Sequence, residues 1–368
     1  MKAGNRLVGF EFEHVSDLAH QELARQLIAR GIGVDQYATG VSRCPHGCYD
    51  GWQVKTDGSI TPNPPKFPVG IELVSPPLAL SRISQVKQAL SFAASHGGIN
   101  SSCGMHVHVE APELTHATNG VAGAHIDRGY LAKLIKLWTA IEPVMLNYLP
   151  LSRRWSSYSK HGISIDERYR GLNIVPLGET RKTVEFRMHS ATLNYNKAMA
   201  WAGLCAHLVE AFIAAMHDKE LFTKLSKEFD PMHFEKQEPV SFATLSGEKL
   251  LLHRAVDAKK RSWVIEGKGQ LIEETSLRQA FANHKELLGL KGNNHLRAFG
   301  FPRFGNTMSQ LCDLIGLRGP YRTYIEDRYE SMLVRHGPLN AKSQAIEIVE
   351  DDEDFFNETV VAQEPLTN

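Results

Sequence analysis

From Arg6 to Val15 apolar and polar residues alternate strictly. Val8, Phe10 and Phe12 fall on one side and Gly9, Glu11 and Glu13 on the other, the period of a strand with one buried face. The pattern returns in Met105–Val109, where Val107 and Val109 oppose His106 and His108. It returns again in Thr183–His189, where Val184, Phe186 and Met188 oppose Glu185, Arg187 and His189. Ile71–Val74 reads as a short strand ended by Ser75-Pro76-Pro77, and Leu172–Pro176 as an extended segment. Between these runs the apolar spacing lengthens to three and four residues. It predicts a helix over Asp17–Arg30, with Ser16 as N-cap, Leu23, Leu27 and Ile28 on one face and Gly31 as the stop. Further helices are expected over Ser81–His96, closed by Gly97-Gly98, over Asp127–Tyr148 and over Tyr195–His217. Tyr37–Pro68, rich in Gly, Pro, Asp and Asn, reads as loop or short hairpin, and Ser152–Arg170 as a polar, basic loop.

Beyond about Lys219 the periodicity weakens. Lys-rich helical pieces surround a β-like fragment at Ser262–Ile265 and a Gly/Asn-rich stretch at Gly289–Gly305, before helices over Thr307–Gly316 and Tyr321–His336. The pattern divides the chain into a core (1–218), a mainly helical extension (219–345) and an acidic tail (346–368) expected to be disordered. Lys+Arg and Asp+Glu both number 41, but eight acids and no Lys or Arg lie from Ile346 onward, so the remainder carries +8. That is mild for its size and has no basic run, so nucleic acid is not an expected partner. No stretch offers the ~20 uninterrupted apolar residues of a membrane span, and Glu11 and Glu13 interrupt any signal-peptide core. Five cysteines, an odd and sparse set, suit a reducing cytosol, so the expected location is cytoplasmic.

If the three alternating strands are neighbours in one sheet, their carboxylates, imidazoles and guanidinium meet on one surface. Crowded carboxylates repel unless a cation neutralises them. Mg²⁺ takes oxygen ligands and completes its shell with water and phosphate, while the planar fork of Arg suits phosphate oxygens. Glu72, in GIELVSP, adds a carboxylate. Each piece alone has a plainer account. Glu-x-Glu can be the wet side of a sheet, His-x-His a zinc site, and Glu-x-Arg a surface ion pair. A zinc-dependent hydrolase using the same Glu/His face is therefore an alternative, as is a non-catalytic binding protein. Cys44-Pro45-His46-Gly47-Cys48 reads either as half of a Zn²⁺ site or as a loop with free thiols.

In order, GFEFE (from Gly9), DGS (Asp57, Gly58, Ser59), ELVSP (from Glu72), GMHVHV (from Gly104), RYRGLN (Arg168–Asn173) and TVEFRMHSATLN (from Thr183) span about residues 6–215. This series resembles the amidoligase family, a branch of the carboxylate–amine ligases related to glutamine synthetase and glutamate–cysteine ligase. The resemblance implies an α+β fold, a curved antiparallel sheet forming a glutamine synthetase-like funnel with helices on its outer face. It also implies ATP with Mg²⁺ or Mn²⁺ on the inner face, and an amide or isopeptide bond made through an acyl phosphate. Glu11, Glu13, Glu72, His106 and Glu185 then match metal ligands, and His106, His108, Arg187, Arg168 and Asn173 match the nucleotide-contacting set. Arg187 matches the phosphate-contacting Arg of the Glu-x-Arg strand, and Arg168 a group on phosphate or substrate carboxylate. Asp57 and Ser59 match substrate contacts; the attacking amine must also shed a proton, and Glu72 and Asp57 are the candidate acceptors on chemical grounds. The implied partners are small-molecule or peptide carboxylates and amines. Lys160 and His161 read either as part of a closing loop or as solvated basic residues.

Overall fold

The computed structural model describes residues 6–33, 51–80, 84–116, 125–126, 128–154, 156–178, 182–227, 240–243, 249–257, 260–265, 271–273 and 307–336. A nine-stranded sheet organises the core. Its path runs β2 (Gln53–Lys55), β3 (Val69–Val74), β1 (Leu7–Ser16), β6 (Gly104–Glu110), β11 (Thr183–Ser190), β10 (Arg170–Asn173) and β9 (Lys160–Ser164), with β4 (Leu78–Ala79) and β5 (Gly97–Gly98) also paired to β1. Every pairing in it is antiparallel except β9 with β10. The sheet is open, and β7 (Thr115–His116) and β8 (His125–Ile126) form a separate ribbon.

The alternation dictates the layering. Val8, Phe10, Phe12, Met105, Val107, Val109, Val184 and Phe186 are all buried and belong to one hydrophobic core. Helices α2 (Ser84–His96), α3 (Arg128–Asn147) and α5 (Tyr195–His217) supply its other half, Trp138 of α3 meeting Phe186 edge-on at 6.0 Å. Each large side chain so buried stabilises the fold by about 1.5–3 kcal/mol, which leaves the polar face opposite free to carry chemistry. Helix α5 is long and apolar enough to cross a membrane, but 78% of its most apolar window is buried inside the fold, which makes it a core helix. Around this layer lie α1 (His20–Ala29) and α4 (Leu151–Arg154), with α6 (Lys219–Leu225), α7 (Thr307–Leu314) and α8 (Gly319–His336) following. Of these, α8 packs on α5.

Several expectations change. Ser16 is the last residue of β1 rather than a helix cap. Its Oγ donates to the His96 carbonyl and accepts from Leu18 N, so α1 starts later, behind Ala19. Gly97-Gly98 does more than stop α2, because it pairs with Val15 and Ser16. A Cβ on Gly97 would lie 2.3 Å from the Val15 carbonyl oxygen, so only glycine allows this approach. The polar segment after Ser152 contains part of α4 and all of β9. Expected alternation fails once in β11. An extra residue between Phe186 and His189 shifts its register on β6, and His189 turns into the core, 4.8 Å from the Trp201 ring. His189 therefore does not share the face of Glu185.

Among its described residues the extension holds, besides its helices, a four-stranded antiparallel sheet of β12 (Val240–Ala243), β13 (Lys249–Asp257), β14 (Lys260–Ile265) and β15 (Leu271–Glu273), where the pattern shows a single β-like fragment. The Cys44–Cys48 loop with its zinc alternative, the Gly289–Gly305 stretch and the acidic tail lie outside the described residues.

Candidate functional site

Strand register assembles the polar face. On β1, Glu11 stands opposite His106 of β6, and Glu13 opposite Glu72 of β3. His108 of β6 stands opposite Glu185 of β11, which in turn faces Asn173 of β10. Five adjacent strands thus place Glu72, Glu11, Glu13, His106, His108, Glu185 and Asn173 on one surface.

The side chains converge. His106 Nδ1 lies 3.1 Å from Glu11 Oε2 and 3.6 Å from Glu185 Oε1, and its Nε2 lies 3.5 Å from Glu13 Oε1. His108 Nε2 is 3.2 Å from Glu11 Oε1 and 3.8 Å from Glu185 Oε1. One donor atom each from Glu11, His108 and Glu185 lies within 4.8 Å of the other two, a spacing that fits a metal ion. This trio contains His108, which the resemblance assigned to the nucleotide, while His106 stands beside it. Glu13 Oε2 accepts a 2.6 Å hydrogen bond from Gly104 N. Glu185 is anchored by Asn173 Nδ2, which donates at 2.5 Å, and by the Arg187 guanidinium.

The electrostatics suit a cation. Both nitrogens of His106 face carboxylate oxygens, and a neutral imidazole has one N–H to donate to them. Burial would raise the Glu11 carboxyl, but the charge of His108 and hydrogen bonds from His106 and His108 hold it well below its ordinary range. Glu72 goes the other way. Burial first, then the charge of Glu11, push it up to about 8, with Asp57 and Glu13 adding and Lys55 opposing. Four neighbouring carboxyl groups with one forced neutral are a donor set short of positive charge.

Around the cluster the other predicted residues spread out. Arg187 is buried on Glu185, and its Cζ lies 5.8 Å from the Tyr169 ring centroid. Exposed Arg168 stands 5.5 Å from the same ring, in the loop before β10, outside the Glu/His cluster. Asp57 Oδ1 accepts from Ser59 N at 2.7 Å, which shapes the loop after β2 near Glu72. Lys160 is held at the surface by Glu167 at 2.6 Å, and His161 Nε2 meets the Arg154 carbonyl at 2.6 Å. A cavity of about 250 Å³ adjoins Glu11 and His108, with Gly9, Val74, Pro77 and Glu110 among its lining residues. One residue went unnoticed in the sequence: Arg153 of α4, buried at the Glu13 end. The only sequence signal for it is an Arg pair directly after an apolar helix.

The fold thus presents a surface of carboxylates, imidazoles and a guanidinium, in which Glu11, His108 and Glu185 have a spacing that could hold a metal ion. The family profile described as "putative amidoligase enzyme" matches residues 4–209, more than half of the chain, and the chain belongs to this family. Among curated proteins none matches it. Membership in an amidoligase family makes ligase chemistry the activity this surface is set against.

Proposed function

We propose that the protein is an ATP- and Mg²⁺-dependent carboxylate–amine ligase that forms an amide or isopeptide bond through an acyl phosphate, with the polar face as the inner wall of a glutamine synthetase-like funnel. The observation that carries this reading is the convergence of Glu11, His106, His108 and Glu185 from three neighbouring strands, with Arg187 on Glu185. A surface that was merely solvated would not bury Glu13, His106, Glu185 and Arg187 together.

In this reading Glu11, His108 and Glu185 hold the divalent ion, with His106, Glu13 and Glu72 beside them. When bound, the ion neutralises charge on the phosphate oxygens. Arg187, fixed by Glu185 and stacked toward Tyr169, offers its remaining N–H groups to the transferring phosphoryl group. The cavity beside Glu11 and His108 takes the nucleoside end, where Glu110 accepts from hydroxyl groups. The acid substrate's carboxylate oxygen takes the γ-phosphoryl group and releases ADP. The neutral amine then attacks the acyl carbon and expels phosphate, passing its proton to Asp57 or to ionised Glu72. Free, buried thiols at Cys103, Cys205 and Cys312 support a cytoplasmic location.

The test is ADP release with Mg²⁺ over panels of acids and amines. The proposal expects release that needs an acid, rises with an amine and yields an amide by mass spectrometry. Water-dependent cleavage of amides without ATP, with zinc bound, would replace the ligase by the hydrolase.

A further inference from the structure

The polar face does not stop at Arg187. Along β11 alternate positions share one side, about 7 Å apart, and they reach three different places. Thr183 lines the cavity, Glu185 belongs to the metal cluster, and Arg187 runs on to the ring of Tyr169. Tyr169 lies in the loop before β10 and is 43% exposed. Arg168 Cζ stands 5.5 Å from the same ring centroid, and Tyr158, 53% exposed, meets the ring edge-on at 6.4 Å. The Tyr169 ring therefore connects the buried end of the face to solvent, with a buried guanidinium and an exposed one both in cation–π range. Backbone contacts fix the two tyrosines. The Tyr169 carbonyl accepts from Lys160 N at 3.0 Å, and Tyr158 N donates to Ser156 Oγ at 3.2 Å.

The charges of this segment single out Arg168. Arg170 donates to Glu167 at 2.7 Å and to the His161 carbonyl at 2.7 Å, and Lys160 lies 2.6 Å from Glu167. Arg168 has its stack on Tyr169 and, among the described residues, no hydrogen bond or ion pair. The stack orients its planar fork and leaves its N–H groups for an anion. An exposed arginine often does no more than face water, but this one shares a ring with the arginine that Glu185 holds at the cluster. The cavity end offers an anion no such place. Its charged lining groups include the carboxylates of Glu11 and Glu110, which repel one.

Resting on the ligase reading, we propose that Arg168, Tyr169 and Tyr158 form the subsite for the remote part of the acid substrate, and that this acid carries a second carboxylate. Its reacting carboxylate lies at the metal cluster beside Arg187, its stem crosses the tyrosine rings, and its second carboxylate pairs with Arg168. The nucleotide then reaches the cluster from the cavity end and the acid from the β10 end. A stem that clears one aromatic ring has the span of roughly two extended residues, at about 3.3–3.6 Å each. The substrate class is therefore acids with two well-separated carboxylates, whether long dicarboxylic acids or short acidic peptides.

The experiment measures ADP release with Mg²⁺ and a fixed amine over a graded series of acids. The series holds monocarboxylic acids, dicarboxylic acids of increasing chain length, and short acidic peptides with and without an amidated C-terminus. At matched length the wild type should favour the acid with two carboxylates by at least about tenfold in KM, and the peptide and dicarboxylic arms tell which source supplies the stem. Arg168→Gln, which breaks no hydrogen bond or ion pair within the described residues, should erase that preference, and Arg168→Lys should retain part of it. Tyr169→Leu should raise the KM of the long acids about fivefold. The MgATP Kd of the Arg168 variants, read by calorimetry, should move less than about twofold. Any of three results overturns this inference alone: acids that stimulate release with no preference for a second carboxylate, a preference that survives Arg168→Gln, or a MgATP Kd that rises as much as the acid KM, which gives the rings to the nucleotide. If no acid stimulates ADP release by the wild-type protein, the ligase reading falls and takes this inference with it.

Discussion

Replacing Glu72 with Gln should make the metal-free protein more stable, although it removes a candidate ligand. Glu72 faces Glu13 across the β1–β3 pair. Burial and the Glu11 charge, helped by Asp57 and Glu13 against Lys55, move its carboxyl from 4.5 to about 8. Near pH 7 the folded protein therefore keeps Glu72 protonated while the unfolded chain ionises it. A raised carboxyl of this kind contributes stability that is complete below 4.5 and is lost as pH climbs toward 8. Between 4.5 and neutral pH the loss amounts to about 3 kcal/mol. Sharing among the neighbouring carboxylates brings the part a single substitution recovers to about 2 kcal/mol. Urea unfolding of wild type and Glu72→Gln in excess chelator, followed by tryptophan fluorescence, measures it. The variant should gain about 2 kcal/mol near neutral pH, and the gain should shrink as the solution is made acidic. In excess Mg²⁺ the order should reverse, because the bound ion stabilises the wild type. A variant less stable than wild type in chelator, or a gain independent of pH, would refute the crowding argument.

Three other outcomes follow from the same structure. Gly97→Ala, with its Cβ 2.3 Å from the Val15 carbonyl oxygen, should lose about 2–3 kcal/mol in urea unfolding, whereas Gly58→Ala, in open space, should lose almost nothing. Burial, with the His20 charge, pushes His14 down to about 4, so the fold should lose about 3 kcal/mol as pH drops from 6.5 to 4. His14→Phe should remove that part of the acid sensitivity, and an unchanged pH profile would contradict the assignment. Arg187→Ala should cut acid-dependent ADP release at least about 100-fold while near-UV circular dichroism stays native, since Glu185 keeps Asn173; loss of the folded spectrum would make this strand structural.

Most of the site was legible because period-2 patterning leaves no choice of face. Once Phe10 and Phe12 enter the core, Glu11 and Glu13 must face away, and Val107 and Val184 fix His106, His108 and Glu185 in the same way. Pairing order was not written in any one strand, but the three polar sets needed each other to be neutralised. What escaped depended on three-dimensional contacts. TVEFRMHS alternates in sequence straight through the irregularity that sends His189 against Trp201. Ser16 looks like a helix cap because capping and strand ends use the same hydroxyl chemistry. Arg153 sits among polar residues and is distinguished only by its burial over Gly104. In the extension the pattern showed only the Ser262–Ile265 part of β14; strand β13 escaped because Lys, His, Arg and Asp interrupt its apolar residues, as in KLLLHRAVD.

The most direct test of a metal–nucleotide site on this face is calorimetric titration of ATP into the protein with Mg²⁺, with chelator, and with Mg²⁺ on Glu11→Gln. Glu11 touches both histidines and belongs to the trio that fits an ion. Binding should appear with Mg²⁺, vanish in chelator and weaken at least about tenfold in the variant. Equal binding in all three titrations, or none in any, would contradict the account.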